Sequence, residues 1–352
     1  MEKMECSGAS VSTVTIGMEA TGHYWLSIYS FLAEHHFIIH VVNPIQTDGW
    51  RKGTEIRKRK TDIIDSVLIA DLMRYGTFME TFLADEDVLS LRNLSRFRNY
   101  LVSSISDLKR KVICVLDQVF PEYASVFSDI FGQTSQELLL HFQTAEDFES
   151  ITAEQLEKAL EQVTLKKQAR EKAKQLSVMA ANSFGVKFCQ DSFSLQLKLL
   201  IQQIQFIESQ VADVDQAIRD ILVKMDSPLL TIPGIGPVTG ACILGEIGDI
   251  SRFSSAAKLA AYAGIDASVS QSGGFQSTNN RMSKRGSPYL RKALFQAALV
   301  AAFRDPTFSA FYQKKRAEGK HHLTAIGAVA RKLCNVMFAV LKSNEPYRSQ
   351  PS

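Results

Sequence analysis

The sequence predicts an α/β amino-terminal part followed by a longer, mainly α-helical remainder, and three observations carry that expectation. Val14, Ile16 and Met18 alternate with Thr13, Thr15 and Gly17, which is the period of a strand. After Gly22, the residues Trp25, Ile28, Tyr29 and Leu32 recur at helical spacing, and Phe37 to Val42 is a β-rich run closed by Asn43-Pro44, completing a βαβ pattern. Much later, Leu197, Leu200, Ile204, Ile207, Val211, Val214, Ile218, Ile221 and Met225 follow one another in steps of three and four without a break. That regularity, with β-branched residues at most a positions, predicts a coiled coil, either between chains or as a hairpin. A helix lying on a domain surface has a wider and less regular stripe.

The remaining elements follow in order. A basic loop holds Arg51, Lys52, Arg57, Lys58, Arg59 and Lys60, opposed only by Glu55. Helix is expected from Asp62 to about Arg74 and from about Glu86 to Val119, stopping before Pro121. Acidic, Gln- and Lys-rich helical sequence leads into the heptads, and the turn Ile232-Pro233-Gly234-Ile235-Gly236-Pro237 separates them from a small-residue helix over Thr239 to Gly248. Next come a helix around Ser255 to Ala263, a Gly/Ser/Asn-rich loop from Ser268 to Asn280 and a basic stretch from Arg281 to Lys292. Helices over roughly Leu290 to Phe303 and Leu323 to Lys342 end the folded part, with a disordered tail expected after Asn344.

Composition limits the class of protein. At 352 residues the chain has room for two or three domains, and 45% apolar with 22% charged residues excludes wholesale disorder. Nine Pro and 19 Gly exclude a fibrous or low-complexity protein. No apolar run reaches the roughly 18 residues of a bilayer crossing, and the polar start from Met1 to Ser12 has no signal-peptide core, so a cytoplasmic protein without membrane contact is expected. Cys6, Cys114, Cys189, Cys242 and Cys334 are far apart and read as reduced, buried thiols. A net charge of +3 names no partner, so the placement of charge has to.

Several residues have the chemistry of a nucleic-acid site. Glu19 ends the first strand, where an open α/β sheet places its crevice. Asp62 and Asp65 are three apart at a helix start and project to one face. Oxygen ligands of this kind suit Mg²⁺ and leave positions open for phosphate oxygens. Spacing alone favours the simpler account, an N-cap and a first-turn carboxylate. Gly234 and Gly236 could expose backbone amides to phosphate as in a helix-hairpin-helix, or could simply make a tight turn. Arg281, Lys284, Arg285, Arg291 and Lys292 form a stretch without acids, as phosphate contact or a solvated face would both allow. Ser272, in Gln271-Ser272-Gly273-Gly274, is a hydroxyl among flexible residues near those arginines, although most loop serines are not nucleophiles. The pairs His35-His36 and His321-His322 read as solvated surface.

Taken in order, the motifs resemble a known family. Met18-Glu19-Ala20-Thr21-Gly22-His23-Tyr24-Trp25, Val42-Asn43-Pro44 and Lys60-Thr61-Asp62-Ile63-Ile64-Asp65 resemble the amino-terminal domain of DEDD transposases of the insertion-sequence 110 family, whose relatives include the Piv DNA invertases. Leu94 to Arg98 and Phe120-Pro121-Glu122 look like that family too. So do Ile232-Pro233-Gly234-Ile235-Gly236, Ala261-Tyr262-Ala263-Gly264-Ile265, Gln271-Ser272-Gly273 and Ser283-Lys284-Arg285-Gly286-Ser287-Pro288.

The resemblance implies a RuvC-like, RNase-H-type domain over 1–130, a helical and coiled-coil region over 131–226, a serine-bearing transposase domain over 227–343 and a tail over 344–352. It implies Mg²⁺ on Glu19, Asp62 and Asp65, with Ser272 as the nucleophile forming a phosphoserine link to DNA. Arg57, Lys58, Arg59, Lys60, Gly234, Gly236, Arg281, Lys284, Arg285 and Arg291 would contact nucleic acid. Implied partners are double-stranded DNA, a structured bridge RNA that pairs with donor and target, and further copies in a dimer or tetramer joined by the coiled coil, at work on the nucleoid of a prokaryote. One departure stands out. The family opens with a strand carrying the first Asp, whereas no Asp occurs here before Asp48. The expectation is a late start codon or a decayed copy, with impaired activity. Two alternatives remain open at this level: a RuvC-like metal-dependent nuclease that needs no serine, and a non-catalytic DNA- or RNA-binding remnant.

Overall fold

The computed structural model describes residues 14–20, 23–54, 61–75, 78, 85–162, 164–266, 271–272, 275–276 and 282–349, with only the backbone at 45, 54, 271, 272, 275 and 276. The chain divides into two compact units, Met1–Glu86 together with Gly248–Arg252, and Asp87–Ile247 together with Phe253–Ser352.

The first unit contains the predicted βαβ. Strand β1 (Thr15–Glu19) pairs in parallel with β2 (Ile38–Val42), Thr15 opposite Ile38 and Glu19 opposite Val42. A parallel pair needs a crossover, and helix α1 (Tyr24–Glu34) supplies it. Helices α2 (Pro44–Thr54) and α3 (Asp62–Tyr75) follow and pack on each other, and α3 also covers β1. Gly17 is what admits α3. A β-carbon there would lie 2.0 Å from Met73 Sδ and 2.8 Å from Ile69 Cγ2. Arg51 and Lys52, expected in a basic loop, lie instead in α2, which starts at Pro44, whose fixed φ suits a first helical turn. Arg57, Lys58, Arg59 and Lys60 lie outside the described residues.

The second unit is built on two long helices, α4 (Glu86–Val119) and, after four shorter ones, α9 (Gln190–Met225). Arg98 on α4 bonds Asp215 on α9, and Lys109 bonds Glu208, so the two run antiparallel. The stripe beginning at Leu197 is used inside its own chain. Leu197, Ile201 and Ile204 share one buried cluster with Ile105, Val112 and Leu116 of α4. Ile201 and Leu222 lie outside the three-four pattern and are buried as well, so the stripe is wider than a strict heptad seam.

The shorter helices are α5 (Gln133–His141), α6 (Ala145–Ser150), α7 (Ala153–Glu161) and α8 (Lys166–Ala181). Capping boxes start α6 and α7: Thr144 with Asp147, and Thr152 with Gln155, each pair exchanging side-chain and backbone bonds. Phe120, Tyr123 and Phe148 form their aromatic core, and the buried Tyr123 hydroxyl pairs with Ser135 at 2.9 Å.

The carboxy-terminal part comprises α10 (Pro237–Ile247), α11 (Ala256–Ala263), a two-residue antiparallel pair β3 (Gln271–Ser272) and β4 (Phe275–Gln276), then α12 (Pro288–Arg304), α13 (Pro306–Ala317) and α14 (His322–Ser343). The segment read as a plain loop thus contains a small hairpin, with Gly273 and Gly274 between its strands and outside the described residues. Among the described residues, α14 is the one helix long and apolar enough to cross a membrane. Its Ile326, Val329, Leu333 and Met337 are buried, and it packs on α11, α12 and α13.

Three further expectations need correction. The segment after Asn344 is not loose. The Tyr347 amide donates to Thr231 Oγ1 at 2.8 Å, its hydroxyl donates to Asp305 Oδ1 at 3.2 Å, and its ring stacks on Phe308. One aromatic side chain meeting a buried acid and a buried ring anchors a short tail that composition gives no reason to order. His322 does not sit as solvated surface, since its Nδ1 pairs with the Tyr312 hydroxyl at 2.8 Å.

The cysteines also differ from expectation. Cys114 and Cys189 are exposed, Cys242 and Cys334 are buried, and Cys6 lies outside the described residues. Burial pushes the thiols of Cys242 and Cys334 up to about 12. The thiolate is the species that alkylates. Iodoacetamide at pH 8 is therefore expected to label Cys114 and Cys189 in the native protein and to reach Cys242 and Cys334 only after denaturation. Peptide mass spectrometry checks this, and rapid native labelling of Cys334 would contradict the burial.

Candidate nucleic-acid interface

In the first unit, the three acids predicted for a metal are placed on neighbouring elements but not gathered. Glu19 ends β1 beside Val42. Asp62 and Asp65 stand in the first turn of α3, where the helix dipole favours them, and the Thr61 hydroxyl accepts from the Ile64 amide at 3.3 Å. Asp62 is exposed, whereas Asp65 accepts from the Arg51 guanidinium of α2 at 2.7 Å. Asp48 lies 3.8 Å from the same guanidinium. Carboxylate oxygens suit a hard cation. As placed, however, they do not fit a formed divalent site: among the described residues, no three His, Cys, Asp or Glu side chains are grouped to hold an ion.

In the second unit, the segment that carries Ser272 is tied at its base. Residues 262–266 and 283–287 lie against each other: the Ser283 amide donates to Asp266 O at 2.9 Å, Lys284 to Gly264 O at 3.1 Å and Ser287 to Tyr262 O at 2.8 Å. The Ser283 hydroxyl also donates to the Asp266 carboxylate. Two glycines make this approach possible. Gly264 ends α11 at φ +66°, and a β-carbon on Gly286 would lie 1.8 Å from Tyr262 O. Ser272 itself is in β3 opposite Phe275, and its side chain is outside what the structure describes.

Beside this base runs a groove of about 1050 Å³ between α12 and α14. Among the described residues its cations are Lys284, Arg291, Lys292, Lys320 and Arg331, and the acid lining it is Asp266, already bonded to Ser283. Phe295 and Leu323 contribute apolar surface. Mostly positive charge over an apolar floor is the footprint of a polyanion with flat or apolar parts. Arg291 also donates to Ala263 O at 3.2 Å, which ties the groove to α11. Arg285 is exposed and does not line the groove, and Arg281 lies outside the described residues.

The two glycines of the turn before α10 have different surroundings. Gly234, at φ +94°, is pressed against α12, where a β-carbon would meet Ala297 O at 2.4 Å. Gly236 has open space around it, and its carbonyl accepts the first bond of α10, from Gly240 at 2.7 Å.

Sequence reasoning missed the group that holds these parts together. Glu246 of α10 is 2% exposed and receives both Nε (2.7 Å) and an Nη (3.1 Å) of Arg96 from α4. The Ser287 hydroxyl donates to the same carboxylate at 2.8 Å and accepts from the Leu290 amide, capping α12. Bonded to that carboxylate, the Arg96 guanidinium is held above its already high value and lies 5.0 Å over the Tyr289 ring. Arg92 donates to Gly245 O at 2.7 Å. One signal was available: Glu246 is the only charged residue in the apolar run from Thr239 to Gly248, and a charge in such a run needs a partner.

Residues 2–121 match the DEDD transposase profile of the IS110 group, and residues 226–313 match the profile described as transposase IS116/IS110/IS902 family. A pilin gene-inverting protein of Moraxella lacunata is 26% identical over 96% of this chain and 83% of its own length. The insertion element IS900 42 kDa protein of Mycobacterium paratuberculosis is 26% identical over 96% and 87%. An IS110 43.6 kDa protein of Streptomyces coelicolor is 36% identical over 35% and 31%. With both ends matched by profiles of one group and relatives aligned along nearly the whole length, the chain belongs to the IS110 family of DEDD transposases, enzymes that recombine DNA.

Proposed function

We propose that this chain is the transposase or site-specific recombinase of an insertion sequence, acting on double-stranded DNA through a covalent link between Ser272 and a DNA phosphate. What supports the reading is the cationic groove beside the tied base of the segment that carries Ser272. Lysines and arginines there would hold the backbone, which needs charge and not base identity. Ser272 Oγ would give up its proton and attack phosphorus. The bond from phosphorus to one strand oxygen breaks, and that oxygen takes up a proton. Attack by an incoming strand hydroxyl on the phosphoserine then restores the serine. One phosphate ester replaces another at each stage, so strand energy is conserved without an external reactant. Lys284 and Arg291 are the groups we assign to the charge that builds up on the phosphorus oxygens.

The other parts of the reading rest on family likeness. Mg²⁺ is the cofactor we assign to Glu19, Asp62 and Asp65. Holding it would require Asp65 to exchange Arg51 for the ion. Gly236, Arg57 to Lys60, Arg281 and Arg285 would contact further phosphates. A bridge RNA would choose the sequence by pairing, while this chain grips backbone. A dimer or tetramer would bring acids and serine from different copies to one junction.

The test is a supercoiled plasmid carrying the element ends, incubated with the protein and Mg²⁺ and run on a denaturing protein gel. A covalent protein–DNA adduct is expected from the natural chain and none from Ser272→Ala. Strand cleavage undiminished in Ser272→Ala would replace this reading with a nuclease that uses metal-activated water.

A further inference from the structure

A second cavity, smaller and more enclosed than the groove, lies where α4, the first turn of α10 and α12 meet, with a volume of about 80 Å³. Several of the residues lining it are donors. Val238 and Thr239 present the first turn of α10, and the first backbone bond of that helix comes from Gly240, so their amides lack an intrahelical acceptor. Arg98 of α4 and Lys292 of α12 bring positive charge. Arg98 uses Nε and one Nη on Asp215, and Lys292 Nζ uses one proton on Asn99 Oδ1 at 2.8 Å, which leaves each with further donors. Among the described residues, none that lines the cavity is an acid.

The second, independent sign of a ligand is Ser95. It is 3% exposed, it lines this cavity, and its hydroxyl has no hydrogen-bond partner. A buried hydroxyl without a partner is destabilising. The surroundings that would satisfy it are the same ones that would satisfy an oxyanion: amides at a helix start, a guanidinium and an ammonium. Two or three waters at about 30 Å³ each fill such a space, and so does one tetrahedral anion. The charge favours the anion: Arg98 is offset by Asp215, so the ammonium of Lys292 is left as the net charge lining the cavity, and an anion would offset it.

We propose that this cavity binds a single phosphate group, held by Ser95, Arg98, Thr239 and Lys292. Two sources share that chemistry, free inorganic phosphate and a backbone phosphate of nucleic acid. Lys292 also lines the groove, so a strand lying there could present one of its phosphates to the cavity.

The experiment is thermal unfolding of the full chain with increasing inorganic phosphate, at ionic strength held constant with chloride. A saturable rise of about 3 °C at ten times the Kd is expected. Lys292→Met, a change at the protein surface that leaves folding intact, and Ser95→Ala are each expected to weaken phosphate at least tenfold. A short DNA duplex then separates the sources. Loss of duplex binding in saturating phosphate assigns the cavity to a backbone phosphate, and unchanged duplex binding assigns it to the free ion; both support the site. A response no different from chloride, or a saturable one unaltered in both variants, overturns it. The readout is anion binding and not recombination, so it can fail while Ser272 chemistry stands, or succeed without it.

Discussion

Replacing Arg96 by alanine is expected to destabilise the second unit by about 3–5 kcal/mol, because it strands a buried carboxylate. Glu246 is 2% exposed whereas the Arg96 side chain is 46% exposed, so the two partners are not equivalent. Glu246→Ala leaves an arginine that can turn its guanidinium into water, and about 2 kcal/mol is expected there once solvent screening is allowed for. The Arg96→Ala, Glu246→Ala double variant should be more stable than Arg96→Ala alone, since removing the acid removes the orphan. Urea titration of the four proteins makes the cycle. If Arg96→Ala costs less than Glu246→Ala, the buried-acid account is wrong. Function is expected to fall with stability, and further. Ser287 depends on the same carboxylate while it caps α12 and pairs with Tyr262, so the covalent adduct should drop even below the temperature at which the variants unfold.

The second large effect is expected from one methyl group on Gly286. A β-carbon there would lie 1.8 Å from Tyr262 O and 2.7 Å from the Gly264 amide nitrogen. These are backbone atoms and cannot rotate away. Overpacking of a core costs about 1–3 kcal/mol where side chains can shift, so Gly286→Ala should reach or exceed about 3 kcal/mol. Its strain can be relieved only by parting 262–266 from 283–287, the contact that ties the base of the Ser272 segment. Adduct formation is therefore expected to vanish together with protection of the Ser283, Lys284 and Ser287 amides in hydrogen exchange. Gly236→Ala is the stability control, because nothing lies within 4 Å of a β-carbon at that position. Equal stability losses in the two variants would remove the steric argument.

Much of the local structure was legible in the residues. The helix over Glu86–Val119 begins and ends where periodicity and Pro121 put it, and the parallel pair of β1 and β2 follows from alternation, a helical crossover and a Pro stop. Less was legible in the heptad run. Its spacing states that one face of a helix is apolar, and not what covers that face. Here α4 of the same chain covers part of it. Tyr347 and the exposed Cys114 and Cys189 were misread for the same reason: order and burial of a single residue depend on neighbours distant in sequence.

The sequence by itself determined the long helices, the βαβ unit, the order of the motifs and hence the family, because these depend on interactions within a few residues and on residue types at fixed spacing; the helices over Pro44–Thr54 and Pro306–Ala317 were not read from it. Only the tertiary structure decided that Glu246, Arg96 and Ser287 meet, that Arg51 sits on Asp65, and that Ser95 lines a cavity together with Arg98 and Lys292. Arg96 and Glu246 are 150 residues apart. The free energy of a buried charge is set by whatever surrounds it in space, and no local pattern records that.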